Sequence, residues 1–589
     1  MGQQAPDIYA ILRLRGRPTL EQIVPAMQQL ADAHERFRLR VAKRGGSWVT
    51  EAVEDFDVRW CMRAVTLDGP DIDAAFNGFV ARLMSGPLLS EGHLPPWDCS
   101  LVRYSSDPHH TDVLLRCSHM IGDGQLFMQL LKDVLEEQDD SMPAEAATAA
   151  MKAAGPGSAS SGVEEEDDGA VSSDGASSSS SGGAAVAAAA SPSASCSSLS
   201  SLGVAGGADR EGGGPHLIRA VRHQSAFLPP PSMQRAERDG EARRSGRAGS
   251  GENGPGGGGG GGTFHGQKRR PGGGAVALLW RLQRLLLSLW GWITSALFVF
   301  SMPLHVPDPV NAVKAAPAEI GGPRAFASVT LPLDEMRHVS KLLGVTINTV
   351  AVSCIAGGLR RHLLQTGGGG ARAWPWRRGA AADAARGGVP SSLLLCSMVD
   401  TRAMQRMGLG GAGAGVGGGC NTLSFIGVPV HTGGAAPLVR LASVAATLSW
   451  IRGSLAVLIA VLIPPVLQFF LRDIALSTRL IMWMLPAKAT LGFSNMRGPV
   501  KPVALRGFPV ERMYNGVQPN AFGCFVSLMS YDNQVTIVNS CYVSKSSCPE
   551  QLLRCVRDEW AALRDAATVP APVEEAEGCG AVGAKAKGA

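Results

Sequence analysis

The sequence predicts an α/β fold with two mixed portions, and three observations support this prediction. Short apolar or alternating runs, such as residues 113–118 and 326–333, have the length and pattern of β-strands. Elsewhere, apolar residues recur at helical spacing, as in residues 20–33 and 333–343. This mixture occurs on both sides of a long low-complexity stretch at residues 139–274. The chain is therefore expected to contain two α/β portions joined by a segment that cannot form a core.

The first portion, residues 1–138, shows strand and helix patterns in alternation. Its predicted elements are a strand at residues 11–14, a helix at 20–33, strands at 99–104 and 113–118, and a helix that starts near residue 126. In the first of these helices, Ile23, Met27 and Leu30 lie on one face at the spacing of an amphipathic helix. That face is expected to pack against the strands.

Residues 139–274 are rich in Ala, Ser and Gly, with an acidic run at 164–168 and a glycine run at 256–262. Such a stretch buries too little apolar surface to offset a backbone entropy of about 1 to 2 kcal/mol per residue. We therefore expect a disordered linker. The abundance of serine leaves a phosphorylated regulatory segment as the alternative.

An apolar segment at residues 275–305 follows the linker. Residues 285–304 carry no ionisable side chain, and as a helix they would be about 30 Å long, which matches a bilayer core. Trp290 and Trp292 lie near one end, as residues at a membrane interface do. The segment is therefore predicted to be membrane-associated. A single span would place the two α/β portions on opposite sides of the bilayer, so attachment to one face is preferred. A buried core helix is the remaining alternative.

A second apolar run occupies residues 453–471 and has Pro464 and Pro465 at its centre. Proline lacks a backbone N–H and clashes with the preceding turn, so this pair predicts a broken helix. We interpret the run as part of the folded portion rather than as a second span.

The second portion, residues 306–567, again mixes the two patterns. Its predicted elements are a strand at 326–333, helices at 333–343 and from about 347, strands at 392–399 and 421–430, a hairpin of 522–530 with 534–540, and a helix at 549–565. Residues 568–589 are expected to form a disordered tail.

Composition excludes several classes of function. The net charge of +5, from 55 basic and 50 acidic side chains, is too small to indicate a nucleic-acid partner. The 12 cysteines form no C-x-x-C pair, so neither a metal site nor a disulfide framework is predicted. The amino terminus lacks the charged-then-apolar pattern of a secretory signal. A reducing compartment fits these features.

The strongest chemical signal is the sequence His119-Met120-Ile121-Gly122-Asp123-Gly124, which follows the apolar strand at 113–118. The two glycines end the strand, so His119 is predicted to lie at a strand-to-turn corner. There an imidazole can act as a general base, while Asp123 fixes the loop and the orientation of the ring. The alternative for such a short pattern is an ordinary hydrogen-bonded histidine at a strand end.

Three further segments extend this signal into a recognisable series. They are Pro95-Pro96-Trp97-Asp98, Asn348-Thr349 at the start of a helix, and Ser494-Asn495 ahead of Gly498-Pro499. In order and spacing, they resemble the motifs of the wax ester synthase/diacylglycerol acyltransferase family. Residues 8–137 and 320–566 share the resemblance. The chain departs from the family's pattern at Ser118, Pro96 and Thr349, which replace a histidine, a leucine and an aspartate.

The resemblance implies two chloramphenicol acetyltransferase-like subdomains, a coenzyme A-dependent acyltransferase fold, with a tunnel at their interface. It also implies an acyl-CoA-dependent O-acyltransferase that esterifies a long-chain alcohol or diacylglycerol to give wax ester or triacylglycerol. Acyl-CoA would be the co-substrate, and no cofactor is implied. The implied site has His119 as general base, Asp123 as its organiser and Asn348 as an oxyanion donor. The implied substrate contacts are Gly124, Trp97, Ser494 and Asn495.

Each of these residues also has a structural alternative. A helix cap is the alternative for Asn348, and a turn is the alternative for Ser494 and Asn495. The departures at Ser118, Pro96 and Thr349 leave open a catalytically silent lipid-binding homologue, and an acyltransferase for another alcohol is a further alternative. A membrane lipid surface is the expected partner, and the expected location is the cytosolic side of the endoplasmic reticulum or of a lipid droplet.

Overall fold

Two β-sheets with helices packed against them form the body of the protein. The computed structural model of the chain describes residues 7–45, 47–88, 93–138, 273–301, 304, 307–367, 388–400, 423–545 and 549–568. The predicted linker at 139–274 lies outside these residues except for 273–274. The predicted tail at 568–589 lies outside them except for Thr568.

Both portions contain strands and helices, which confirms the α/β class predicted from the sequence. The strands are β1 (Asp7–Arg15), β2 (Leu39–Arg44), β3 (Ser47–Ala52), β4 (Met62–Leu67), β5 (Trp97–Tyr104), β6 (His110–Ser118), β7 (Leu135–Glu137), β8 (Arg324–Pro332), β9 (Ser392–Asp400), β10 (Leu423–His431), β11 (Leu491–Arg497), β12 (Val503–Leu505), β13 (Phe508–Val517), β14 (Cys524–Tyr531) and β15 (Gln534–Tyr542). The helices are α1 (Leu20–Ala33), α2 (Ile72–Ser85), α3 (Gly124–Lys132), α4 (Gly273–Ser301), α5 (Leu333–Leu343), α6 (Ile347–Gln365), α7 (Pro437–Gly453), α8 (Ala456–Leu471), α9 (Ile474–Met484) and α10 (Glu550–Thr568).

The first sheet has the strand order β4-β5-β6-β1-β13-β12-β7. Strands β12 and β13 come from the second portion, and β13 pairs antiparallel with β1, with Ile8 opposite Val517. The predicted division between residues 1–138 and 306–567 therefore does not follow the boundary of this sheet. The physical reason is that β1 is buried at every position except Arg15, so it needs a strand on each edge.

The second sheet has the order β10-β9-β11-β14-β15-β8 and is built entirely from the second portion. Helix α10 packs closely against α6, because Gly357 and Gly358 leave room for Glu559 and Val556. The carboxylate of Glu559 is buried and accepts from Arg361 Nε at 2.8 Å and from Arg440. Pairing with two guanidinium groups offsets the cost of burying this charge.

Helix α8 runs without a break through Pro464 and Pro465, so the predicted break is wrong. A proline at position 464 leaves the carbonyl of Ala460 without its helical donor. Ser424 Oγ supplies the missing hydrogen bond and donates to Ala460 O at 2.7 Å. A side chain from β10 therefore satisfies the acceptor that the proline leaves unpaired.

Helix α4 contains most of the predicted membrane segment at 275–305 and presents large apolar side chains to the outside. Leu285 and Trp290 are 65% and 66% exposed, which contradicts the alternative of a buried core helix. The end of α4 is anchored through buried Val299 and through Phe298, whose ring lies 5.1 Å from that of Trp450.

Within the described part of the chain, no single helix has both the length and the apolar character needed to cross a bilayer. Two bent pairs, α5 with α6 and α7 with α8, have that length and composition only when their helices are counted together.

Candidate active site

His119 lies in the turn that follows β6, as the sequence predicts. Strand β6 ends at Ser118, whose backbone N–H donates to Pro96 O at 2.9 Å. The next turn closes when Ile121 N donates to Ser118 O at 3.0 Å. The side chain of His119 is partly exposed, whereas that of Ser118 is buried. Of these two residues, only the histidine is therefore directed away from the core.

The carboxylate of Asp123 caps helix α3. It is fully buried, and its Oδ1 accepts from Leu126 N at 2.8 Å. A Cβ atom added at Gly122 would lie 2.5 Å from Leu126 Cδ2, so the loop packs closely against the first turn of the helix. The carboxylate is thereby held at the start of α3, and its role in orienting the ring of His119 stays a prediction.

Gly124, the first residue of α3, is in contact with the second portion of the chain. A Cβ atom added at Gly124 would lie only 2.8 Å from Met496 Sδ, so the backbone here packs closely against the end of the methionine side chain. Met496 belongs to β11, and its Sδ atom accepts from Asn515 Nδ2 at 3.4 Å. The loop that carries His119 is thereby held against β11.

On β11, the residue next to Met496 connects to the start of α6. Asn495 Nδ2 donates to Asn348 Oδ1 at 2.8 Å. Two residues that lie 147 positions apart, and that sequence reasoning assigned to one site, are in direct contact. Because Asn348 accepts through Oδ1, its Nδ2 group is the atom that can donate to a ligand.

The helix-cap alternative for Asn348 is wrong. Thr346 is the N-cap of α6, and its Oγ1 accepts from Thr349 N at 3.2 Å and lies 2.9 Å from Thr349 Oγ1. Thr349 is buried in the first turn. The residue that replaces the family's aspartate is thus part of the capping arrangement.

The turn alternative for Ser494 and Asn495 is also wrong, because both lie within the strand β11. Successive side chains of a strand point to opposite faces. Asn495 therefore faces α6, whereas Ser494 shares a face with Met496 and is 8% exposed. Of this pair, Asn495 is the residue in contact with another predicted site residue.

Trp97 lies in the core of the first portion. Its indole is fully buried, Nε1 donates to Phe37 O at 2.9 Å, and its ring lies 5.6 Å from that of Phe37 and 6.3 Å from that of Phe56. These contacts are structural, and its substrate contact stays a prediction. Pro96 supports the end of β6 through its carbonyl, as described above.

Two residues near the histidine loop were not predicted from the sequence. Arg36 Nη1 donates to Ile121 O at 2.9 Å and ties the loop to the segment after α1. Asp7 lies opposite Ser118 in the β1–β6 pair, and its Oδ2 accepts from Gln518 Nε2 at 2.9 Å. No motif marks Arg36.

Burial raises the pKa of Asp7 to about 6, although the charge of Arg116 opposes this shift. Arg116 is itself fully buried on β6, where its Nη2 lies 2.9 Å from Asp98 Oδ2. Asp7, Asp98 and Arg116 could have been noticed in the sequence, because they are charged residues within strands that are otherwise mostly apolar.

Both portions of the chain match models of one known protein family. Residues 9–200 match the model of the wax ester synthase/diacylglycerol acyltransferase catalytic domain, and residues 419–564 match that of the WS/DGAT C-terminal domain. Together the two ranges cover more than half of the chain. The resemblance inferred from the motifs is confirmed.

A solved structure and two sequence relatives are similar to the chain. The wax ester synthase/diacylglycerol acyltransferase from Marinobacter aquaeolei VT8 aligns over 97% of each chain at 14% identity, with a TM-score of 0.50. This likeness supports the predicted fold. Proteins from two strains of Mycobacterium tuberculosis, provisionally named diacylglycerol O-acyltransferases, are 52% identical over 44 residues. That match spans 8% of this chain and only 9% of each relative.

Proposed function

Because the chain belongs to the wax ester synthase/diacylglycerol acyltransferase family, we propose that it is an acyl-CoA-dependent O-acyltransferase that esterifies a long-chain alcohol or diacylglycerol. One structural observation carries this proposal. The contact of Gly124 with Met496 brings the His119 loop to the strand on which Asn495 holds Asn348. Both portions of the chain thus meet at one strand, β11, with Met496 and Asn495 on its opposite faces.

His119 is the proposed general base. A neutral hydroxyl is a weak nucleophile, so its attack on a thioester carbonyl needs a group that accepts the proton. The imidazole takes this proton as the new C–O bond forms, and returns it to the thiolate as the C–S bond breaks. General acid–base assistance of this kind contributes about 10² to 10⁴ in rate. The protein is not acylated in this mechanism.

Asn348 is the proposed donor to the oxygen on which negative charge develops. Its Nδ2 group is oriented because Oδ1 is already engaged by Asn495. A donor held in place before the reaction stabilises the transition state without a reorganisation cost. Asn495 is then a positioning residue. Asp123 positions the histidine loop by capping α3.

A catalytically silent homologue is the second candidate, because three motif positions are replaced. Two of the replacements have structural contacts that preserve the loops: Ser118 Oγ accepts from Met120 N at 3.4 Å, and Thr349 contacts the cap at Thr346. These contacts favour an active enzyme. Complete absence of turnover in the wild-type protein would favour the silent homologue.

The proposal includes attachment to one face of a membrane through α4, α8 and α9. The water-insoluble acceptor and the exposed apolar side chains of these helices support it. The cytosolic side of the endoplasmic reticulum or of a lipid droplet is the proposed location. Co-flotation with vesicles of phosphatidylcholine and phosphatidylglycerol tests the attachment, and a protein that stays at the bottom of the gradient contradicts it.

The catalytic proposal is tested by measuring release of coenzyme A from palmitoyl-CoA, with 1-hexadecanol or diacylglycerol as acceptor. His119→Ala should lower the rate by at least about a hundredfold, because it removes the general base. His109→Ala, at an exposed histidine outside the loop, is the matched control and should retain the wild-type rate. A folded His119→Ala variant with normal turnover would show that the base has been assigned wrongly.

A further inference from the structure

Two cysteines lie directly opposite each other in the hairpin of β14 and β15. Cys524 is the first residue of β14, and Cys541 is its partner near the end of β15. In the adjacent pair, Tyr542 N donates to Gly523 O at 3.1 Å, so the two cysteines occupy a non-hydrogen-bonded position of the ladder. The Cα atoms at such a position are about 4.5 Å apart, within the range of about 4.4 to 6.8 Å that disulfides have. The strands therefore hold the two cysteines at a separation that a disulfide bond can span.

The two side chains lie on the same face of the second sheet, because facing residues of an antiparallel pair share a face. Cys524 is 2% exposed and Cys541 is fully buried. Both belong to the core that the hairpin shares with α6 and α10. The thiols of Cys524 and Cys541 are joined by a hydrogen bond. On the other edge of β15, Cys541 faces Ala325 of β8, whose side chain is small. The two sulfur atoms are therefore in contact while both cysteines are still reduced.

The other cysteines in the described strands face residues of other types. Cys99 faces Met62 and Leu115, Cys117 faces Ile8 and Trp97, and Cys396 faces Gly427 and Gly492. The remaining described cysteines, Cys61, Cys354 and Cys555, lie in helical segments. Within the part of the chain that the structure describes, the strand register brings two cysteines face to face at this position alone.

Cys524 is the member of the pair that a positive charge helps to ionise. Its hydrogen bond with Cys541, together with burial, raises its pKa well above the usual value, whereas the charge of Lys545 acts in the opposite direction. Lys545 is held in place by Glu319, with Nζ and Oε2 2.6 Å apart. The thiolate is the reactive form of a cysteine. Oxidation of the pair should therefore be slow at neutral pH and faster as the pH rises.

The segment at residues 311–316 covers the beginning of β14. Gly523 packs so closely against this segment that a Cβ atom added there would collide with the backbone carbonyl of Val313. Asn311 Oδ1 stabilises the segment by accepting from Val313 N and from Lys314 N, each at 2.8 Å. An oxidant that reaches the buried pair must therefore be small, and local opening of this segment limits its access.

We propose that Cys524 and Cys541 form a disulfide bond when the protein meets hydrogen peroxide, and that this oxidation stabilises the fold. The thiolate of Cys524 attacks one peroxide oxygen, which gives a sulfenic acid and, after a proton is taken up, one water molecule. The thiol of Cys541 then displaces the hydroxyl group from this sulfur as a second water, and the S–S bond forms. The thiols lose two electrons, which reduce the peroxide to water. The bond closes a loop in the hairpin and so restricts the unfolded chain.

A single tryptic peptide makes this proposal directly testable. Residues 513–545 contain both cysteines, and Lys545 is the first lysine or arginine after Arg512. Reduced full-length protein is treated with hydrogen peroxide below its unfolding temperature, at about neutral pH and at about pH 9, where more thiolate is present. It is then denatured, alkylated with iodoacetamide and digested. The bonded peptide should be lighter than the reduced one by two hydrogen atoms, carry no alkyl group, and accept two alkyl groups after reduction with dithiothreitol. Its yield should rise with pH.

Two variants separate facing cysteines from merely neighbouring ones. In Cys524→Ala, the remaining Cys541 should take up one alkyl group after the same treatment. Cys99→Ala is the matched control, because Cys99 and Cys117 are buried on neighbouring strands without facing each other. This control should form the bonded peptide as the wild type does, and Cys117 should be alkylated in both the control and the wild type.

Thermal denaturation followed by circular dichroism measures the effect on stability. The oxidised wild type should unfold at least about 2 °C above the reduced form, because the cross-link lowers the entropy of the unfolded chain. The same treatment should not raise the melting temperature of Cys524→Ala. The acyltransferase reaction enters none of these measurements, so the inference stands or fails independently of the proposed function.

Three results would overturn the inference. The first is complete alkylation of Cys524 and Cys541 after peroxide treatment at both pH values. The second is an equal yield of a bond between Cys99 and Cys117, since proximity without a facing register would then suffice. The third is a lower melting temperature in the oxidised wild type, which would show that the strands must distort to form the bond.

Discussion

Asn495 of β11 donates its Nδ2 hydrogen to Oδ1 of Asn348, the second residue of α6, at 2.8 Å. This bond joins two segments that resemble family motifs, and it fixes which end of the Asn348 amide can face a substrate. The neighbouring residue, Met496, is the one that Gly124 approaches. One strand therefore links the amide pair to the histidine loop.

Asn348→Ala should lower kcat by about a hundredfold, the usual effect of removing one oxyanion donor. Asn495→Ala should lower it by about tenfold, because Asn348 stays present but loses its anchor. The double variant should be no slower than Asn348→Ala alone, since both changes act through one group. Steady-state kinetics with saturating palmitoyl-CoA measures all three rates, and additive losses would show that the two residues act separately.

Asp123→Ala should lower the free energy of unfolding by about 1 kcal/mol, because helix α3 loses its N-cap. Asp123→Asn should keep the stability close to that of the wild type, since asparagine is an equally good cap. Urea denaturation followed by circular dichroism measures both. Comparing the turnover of the asparagine variant with the wild type then isolates the effect of the carboxylate charge. Equal destabilisation by alanine and asparagine would contradict the capping role.

Asp7 should make the protein less stable as the pH rises. Its pKa is raised from 3.8 to about 6 in the folded state, chiefly by burial, so folding favours the protonated form. The contribution to stability is complete below about pH 4 and is lost as the pH passes through 6. Asp7→Asn should remove this dependence, so the variant should gain on the order of 1 to 3 kcal/mol relative to the wild type between pH 4 and 7.

Urea titrations of both proteins across this pH range measure that difference. Asp112→Asn is unsuitable as a control because Arg13 pairs with this carboxylate. Asp334, on the first turn of α5, is a suitable control position. A constant difference between Asp7→Asn and the wild type at every pH would contradict the assignment.

Ser424→Ala should destabilise the protein by about 1 to 3 kcal/mol, because Ala460 O loses its donor inside the protein. Pro464→Ala restores a backbone N–H that can donate to the same carbonyl. In a Pro464→Ala background, Ser424→Ala should therefore lower the free energy of unfolding much less than it does in the wild type. A double-mutant cycle in thermal denaturation measures this coupling, and strictly additive effects would show that the two residues do not share the carbonyl.

Elements whose ends depend on local chemistry could be predicted closely from the sequence. Helix α1 spans the predicted residues 20–33, because Thr19 and Gln22 form a capping box at its start. Helix α5 spans the predicted residues 333–343, because Gly344 ends it with φ of 66°. The hairpin of β14 and β15 turns at Asp532 and Asn533, both with positive φ. In each case the signal lies within a few residues of the feature.

The α/β class, most element positions, the corner at His119 and the family of the chain follow from local patterns in the sequence. Three features become visible only in the folded protein: β13 completes the first sheet, α8 continues through Pro464, and Asn495 holds Asn348. Each of these features joins residues far apart in the chain. Such contacts form only when the rest of the fold has compensated the entropy of closing long loops, so no local pattern records them.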